Sequence, residues 1–419
     1  PAGGISVLRS LRFAKYLAQS GWKVIVYTPS NAQYDHWDHA NLQEISEDVL
    51  VIKRPILEPF GLFKKISRRK KTDSANPVYA KEQSKGWIDN FAIWLRGNFF
   101  IPDARALWIA PSVRYLTKYL QHTKVDAILS DGPPHTNTVI ACKLSKHTGI
   151  PWLADFQDPW TQVDYFKMMM IGSSALKKHH KLEQEVFKSA KKITIASPSW
   201  KADLENIGAK NVDVIYYAYD EGDFEHLPLA SPTSFSIIHN GVLGHDRLPE
   251  HFLSVIKKIV DENEIFRLKV KLIFTGQVDY SLKNLIAKTG LGAFVEYTGL
   301  IKRAEALSLC NASSIQLLLL NKADNAKGRI PGKLFEYLRI AKPILSLGPV
   351  DSDVAGILLE TGSGICMEYD NEILMESWIL NCFDGFMDGK KYVPSPQIKE
   401  YEVRKQVAKI STFLDDMIC

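Results

Sequence analysis

Between Lys327 and Pro349 the chain reads KGRIPGKLFEYLRIAKPILSLGP, a loop, a helix and a strand in immediate succession. Leu334, Phe335, Tyr337, Leu338 and Ile340 recur at the spacing of one buried helix side. Lys342-Pro343 ends that helix with a basic last turn and a breaker. Ile344–Leu347 then reads as a short buried strand closed by Gly348-Pro349. A small-residue loop that hands directly into a helix presents unsatisfied N–H groups, a ready site for phosphate. Gly332, Lys333 and Leu334 stand at that entry, and Lys333 adds positive charge. Glu336 is the odd residue, because a carboxylate repels phosphate. It makes sense if it points past the phosphates and accepts hydrogen bonds from sugar hydroxyls. A helix with solvated charges on one side is the plainer reading of the same residues.

The segment PGKLFEYLRIAKPIL resembles the donor-binding segment of the GT-B glycosyltransferases, in particular glycosyltransferase family 4. That family carries a pair of glutamates spaced as Gly328 and Glu336 are here, then a helix and a Gly/Ala-Lys-Pro turn. Glu336 matches the second glutamate, which holds the nucleotide ribose. Gly328 stands where the first, which contacts the donor sugar, would be. The resemblance implies an α/β chain of two Rossmann-like domains facing across a cleft, with the last helix returning to the first domain.

Size and charge agree with such a chain. Its 419 residues suit about two or three domains, and 46% hydrophobic residues can fill more than one core. A net charge of +5 is mild for this length, so nucleic acid is not an expected partner. Five scattered cysteines without a CxxC pair read as reduced thiols of a cytoplasmic protein. No apolar run is long enough to span a bilayer. The chain opens on a loop-like PAGG with no strand before it, from which a missing short N-terminal piece is expected.

In the first half, Gly3 and Gly4 precede an amphipathic helix, Ile5–Gln19, and a strand, Lys23–Tyr27. This opening resembles the first loop and helix of GT-B N-domains, where the paired glycines let backbone approach the donor phosphate and the acceptor. Tyr34–His39 holds His36 and His39 beside Asp35 and Asp38, a polar loop more readily than a metal site. Phe60–Lys71 mixes apolar residues with a basic run and could lie on an anionic membrane surface, or be a solvated loop. Asp103 and Arg105 are functional or pair with each other. Strand Val125–Ser130 delivers Asp131 through His135 into a loop at its C-terminal end, where α/β sheets place ligand contacts. The next strand, Trp152–Ala154, delivers Asp155, Gln157, Asp158 and Trp160. Asp155 and Asp158 are the candidate bases, His135 a lesser one; a cap or turn role is the alternative for Asp155. DFQDPWT resembles the DFRDPW segment of a branch of family 4-like transferases. Val163–Lys192 is expected to be helical.

LPLASPTS, Leu227–Ser234, reads as a linker. It places an acceptor-binding domain over residues 1–228 and a nucleotide-sugar domain over 235–395, with 396–419 packing back on the first. The resemblance implies that Arg247, following Gly241 at the family spacing, grips the diphosphate, and that backbone at Ile301 reads the base; Val242 stands where the family has a second basic residue, and Lys333 would compensate for it. The expected function is transfer of a sugar from a UDP- or GDP-linked donor to a glycan or lipid-linked glycan in polysaccharide biosynthesis. No metal or cofactor is called for, and the enzyme would sit in the cytoplasm, peripherally on the inner face of the membrane. A nucleotide-sugar 2-epimerase and a non-catalytic membrane-associated scaffold are the other readings.

Overall fold

The computed structural model describes residues 4–34, 37–58, 87–227, 234–322, 325–393 and 395–419. Gly3, His36 and the whole Phe60–Lys71 segment lie outside them. The chain divides into two compact units. The first is Pro1–Tyr217 with Val403–Cys419, the second Ala218–Glu402. The division falls after Tyr217, and of the expected linker Leu227–Ser234 only the two end residues are described.

In the first unit, α1 (Ile5–Gln19) leads to β1 (Ile25–Pro29) and β2 (Leu50–Arg54), which pair in parallel. Then come α2 (Trp87–Phe99), α3 (Ile109–Leu120), β3 (Ile128–Gly132), α4 (His135–Thr148), β4 (Trp152–Phe156), α5 (Ser173–Ser189), β5 (Lys192–Ile195), α6 (Pro198–Asn206) and β6 (Val212–Val214). Strands β3 to β6 form a parallel sheet in sequence order. Its centre is an apolar stack in which Trp152, Leu153, Ile193 and Ile195 are fully enclosed. The expected single helix over Val163–Lys192 is interrupted. Asp164–Met169 forms a 3-10 turn, and Met170, at φ 52°, bends the backbone away before Gly172 caps α5.

The second unit contains β7 (Phe235–Asn240), α7 (Glu250–Glu262), α8 (Glu264–Lys269), β8 (Val270–Thr275), α9 (Tyr280–Thr289), β9 (Val295–Gly299), α10 (Arg303–Asn311), β10 (Ile315–Leu319), α11 (Lys333–Ile340), β11 (Ile344–Leu347), α12 (Asp353–Thr361), β12 (Gly364–Met367) and α13 (Glu372–Met387). All six strands are parallel, in the order β12-β11-β10-β7-β8-β9. This is the doubly wound order, and its direction reverses between β7 and β10. Ligands bind at that switch point, beyond the C-terminal ends of the strands. The chain returns to the first unit as α14 (Val403–Ile418), whose Val407, Ile410 and Leu414 are buried. It packs beside α1, with Trp22 Nε1 donating to Ser411 Oγ at 2.9 Å and the Arg404 guanidinium 4.8 Å from the Tyr16 ring centroid. Among the described residues no helix is long and apolar enough to cross a membrane.

Candidate functional site

In the second unit the sequence places its cations at the switch point. Strand β7 ends in His239-Asn240-Gly241, and Gly241 adopts φ 115°. The next turn packs tightly on it: a Cβ at Gly276 would lie 2.9 Å from the Gly241 carbonyl carbon. From α11, Lys333 reaches back so that its ammonium would stand 2.9 Å from a Cβ at Gly241. It also meets His239 Nε2 at 3.5 Å. His239 Nδ1 lies 3.0 Å from the Leu317 carbonyl. That carbonyl can only accept, so Nδ1 carries the proton and Nε2 presents its lone pair to Lys333. Burial and then the Lys333 charge push the imidazole well below its ordinary range, so it stays neutral.

Arg247 occupies a 3-10 turn beyond β7, where its Nε donates to Asp246 at 3.3 Å. Asn321, just past β10, donates to the other oxygen of Asp246 at 2.8 Å, which ties the two loops at the switch point together. Burial first, then the nearby Arg247 charge, lowers Lys333 to about 8, with Glu336 opposing. Lys333 thus stands beside Gly241, and Arg247 is near enough to act on its charge.

The amide-rich entry to α11 is narrower than expected. The Leu334 amide donates to Pro331 O at 2.9 Å and the Phe335 amide to Gly332 O at 3.2 Å, so both are already used inside the first turn. Gly332 is the N-cap, and the Leu334 side chain is wholly enclosed. Glu336 is 8% exposed and accepts from Arg303 at 2.5 Å; Arg303 also reaches Asp223 at 2.9 Å. Ile301 is half-buried in the loop between β9 and α10.

In the first unit the two aspartates at the ends of β3 and β4 are register partners. Asp155 is 1% exposed and forms an ion pair with Arg9, itself 1% exposed, while Thr194 donates to it at 2.6 Å. A carboxylate enclosed and bonded in this way cannot reach a substrate proton, so Asp155 is a structural anchor for α1, not a base. His135 fails for a related reason. It stacks on Trp160 with centroids 4.7 Å apart, and burial followed by His179 lowers it to about 3. Asp103 and Arg105 do not pair side chain to side chain. Asp103 accepts from the Thr136 amide and hydroxyl, both at 2.8 Å, at the start of α4, and Arg105 bonds Glu58 at 2.7 Å.

The sequence places Asp131 in the ligand-facing loop after the strand Val125–Ser130 but not among the candidate bases. Asp131 is half-buried, and Ser10 and Gln157 each donate to one of its oxygens. Gln157 in turn accepts from the Tyr217 hydroxyl at 3.1 Å. Burial, then the Asp155 charge, pushes Asp131 up to about 6. Asp158 is half-buried nearby, close enough to help raise the Tyr217 hydroxyl. Gly4 caps the exposed start of α1, whose next turns supply Ser10 and Arg9. A signal for this was present: Arg9 interrupts the apolar side of α1 between Leu8 and Leu11. Among the described residues no cluster suits a metal ion.

No family model matches the sequence, and no curated protein matches it. Solved structures do. Sucrose-phosphate synthase from Thermosynechococcus elongatus aligns at TM-score 0.55 and 12% identity, over 99% of this chain and 92% of that one. An α,α-trehalose-phosphate synthase from Burkholderia vietnamiensis aligns at 0.57 and 9%, over 94% and 99%. WaaG, a glycosyltransferase involved in lipopolysaccharide biosynthesis, aligns at 0.52 and 11%, over 99% and 96%. Against S. aureus TarM the chain covers only 59% of that chain. With its doubly wound sheet of six parallel strands, its second parallel α/β unit and its returning last helix, the chain has the GT-B fold.

Proposed function

We propose that the protein transfers a sugar from a nucleoside-diphosphate sugar to a glycan or lipid-linked glycan. One observation carries this reading. Lys333 holds its ammonium against Gly241 at the switch point, bonded to a neutral imidazole rather than to a carboxylate, with Arg247 close enough to depress it. Asp246 already pairs with Arg247, so Lys333, whose hydrogen-bond neighbour is a neutral imidazole, is the cation best placed to take an incoming anion. A diphosphate is such an anion, and it is also the leaving group whose charge grows in the transition state. Glu336, one turn along α11, suits the ribose, and Ile301 the base edge. In the first unit, Asp131, held by Ser10 of α1 and by Gln157, is the residue suited to accept the acceptor's proton. Its value near 6 leaves it ionised yet basic at neutral pH.

The GT-B neighbours support this reading, since several are sugar transferases or synthases of sugar phosphates. A UDP- or GDP-linked donor fits the site without a metal, because cations already face the diphosphate. A lipid-linked acceptor would bring the enzyme to the cytoplasmic face of a membrane. The test is titration calorimetry of the full chain with UDP and GDP. One of them should bind, and Lys333→Ala and Arg247→Ala should each weaken it by about tenfold or more. Unchanged affinity in both variants would reject the assignment.

A further inference from the structure

Arg303 is absorbed by none of the roles above, yet it holds Glu336. It is the first residue of α10, where the helix dipole opposes a cation. Two carboxylates compensate: Nη2 donates to Glu336 Oε1 at 2.5 Å and to Asp223 Oδ2 at 2.9 Å. Asp223 lies in the 3-10 turn Glu221–Asp223, which is fastened to α11 a second time through Arg339 and Glu221 at 2.8 Å. The turn is therefore held by two arginines, of which Arg303 also bonds Glu336. Lys333 and Glu336 are three residues apart on α11, which sets them on one side about 4.5 Å apart along the axis.

We infer that Arg303 is a positioning residue that aims the Glu336 carboxylate at the diol of a ribonucleotide, and so makes the site select ribose over deoxyribose. The inference rests on the donor reading above. A carboxylate accepts about four hydrogen bonds, so Arg303 can fix its direction while the two hydroxyls bind. Asp223 keeps the guanidinium from swinging out with the ligand.

The test compares the affinity of the full chain for whichever of UDP and GDP binds with that for its 2′,3′-dideoxy form. The wild type should prefer the ribonucleotide by about tenfold or more. Glu336→Gln and Arg303→Met should both lose the preference while the dideoxy form binds as before. Arg303→Lys should restore part of it, Asp223→Asn should lower it, and Arg339→Met should keep it. Should Arg303→Met fail to fold, the Lys and Asp223→Asn variants carry the same comparison. A preference that survives in every Arg303 and Asp223 variant but vanishes in Glu336→Gln overturns the inference and leaves the donor reading standing. A wild type without the preference, or without nucleotide affinity, overturns both.

Discussion

Asp131 and Asp155 face each other as register partners on adjacent strands, and their surroundings differ: Asp155 is paired with Arg9, while Asp131 accepts from Ser10 and Gln157. Replacing Asp155 strands the buried Arg9 guanidinium. Asp155→Asn should therefore cost about 3–5 kcal/mol of stability, seen as an early loss of structure in thermal unfolding. Asp131→Asn should leave the melting temperature nearly unchanged and lower kcat by about a hundredfold. The rate of the wild type should rise with pH through about 6, as Asp131 loses its proton, and that limb should vanish in the variant. Sequence alone could not divide these roles. Both aspartates end strands in polar loops, and the partner that decides between them, Arg9, is 146 positions from Asp155. The resemblance carries the spacing of Arg247 from Gly241, whereas His239 and Arg303 meet their partners across elements, which no local pattern reveals. A second pH effect is expected. Lys333 titrates near 8 in the free protein, and a bound diphosphate favours its charged form. Nucleotide affinity should thus fall by about tenfold between pH 7 and pH 9. Lys333→Arg, which keeps its charge, should flatten that slope in calorimetry.

At the scale of elements, α11 does most of the positioning, and its end is strained. Ala341 follows the helix at φ 59° and ψ 52°, bonding back to Tyr337 and Leu338 at 3.2 Å each. A left-handed alanine costs roughly 1–2 kcal/mol, partly offset by the extra chain entropy that glycine loses on folding. Ala341→Gly should raise stability by about 0.5–1 kcal/mol, measured as a higher urea midpoint with an unchanged slope. Ala341→Val should lower it, and neither should alter nucleotide affinity. The apolar rows of α11, β10 and β11 made this region readable, since their side chains are enclosed wherever the periodicity requires it. Val163–Lys192 misled for a physical reason. Its lysines and methionines all favour helix, but Asp164–Met169 closes into a 3-10 turn and the backbone at Met170 and Gly172 breaks the run against α2, where Asn98 bonds the Met170 carbonyl and the Gly172 amide.

At the scale of the whole molecule, the chain leaves its first unit at Tyr217 and rejoins it at Val403. The Tyr219 amide bonds the Tyr401 carbonyl at 3.0 Å, so the outgoing and returning segments lie side by side. The consequence is that α14, though last in sequence, belongs to the stability of the first unit. Its Val403, Val407, Ile410 and Leu414 are buried, and Gln406 accepts from the Tyr216 amide at 3.1 Å. Four enclosed aliphatic side chains contribute about 6–12 kcal/mol, as much as the entire stability of an ordinary domain, about 5–15 kcal/mol. The second unit keeps its six-stranded sheet and the Lys333–Gly241 arrangement without any residue beyond Glu402. Removing residues 403–419 should therefore abolish the unfolding transition of the first unit and leave that of the second. Saturating nucleotide should still raise the surviving transition, since a ligand that binds only the folded form stabilises it in proportion to RT ln(1 + [L]/Kd). Differential scanning calorimetry of the truncated chain, with and without UDP or GDP, reads both effects. Loss of the nucleotide-dependent transition would mean that the second unit, too, depends on α14.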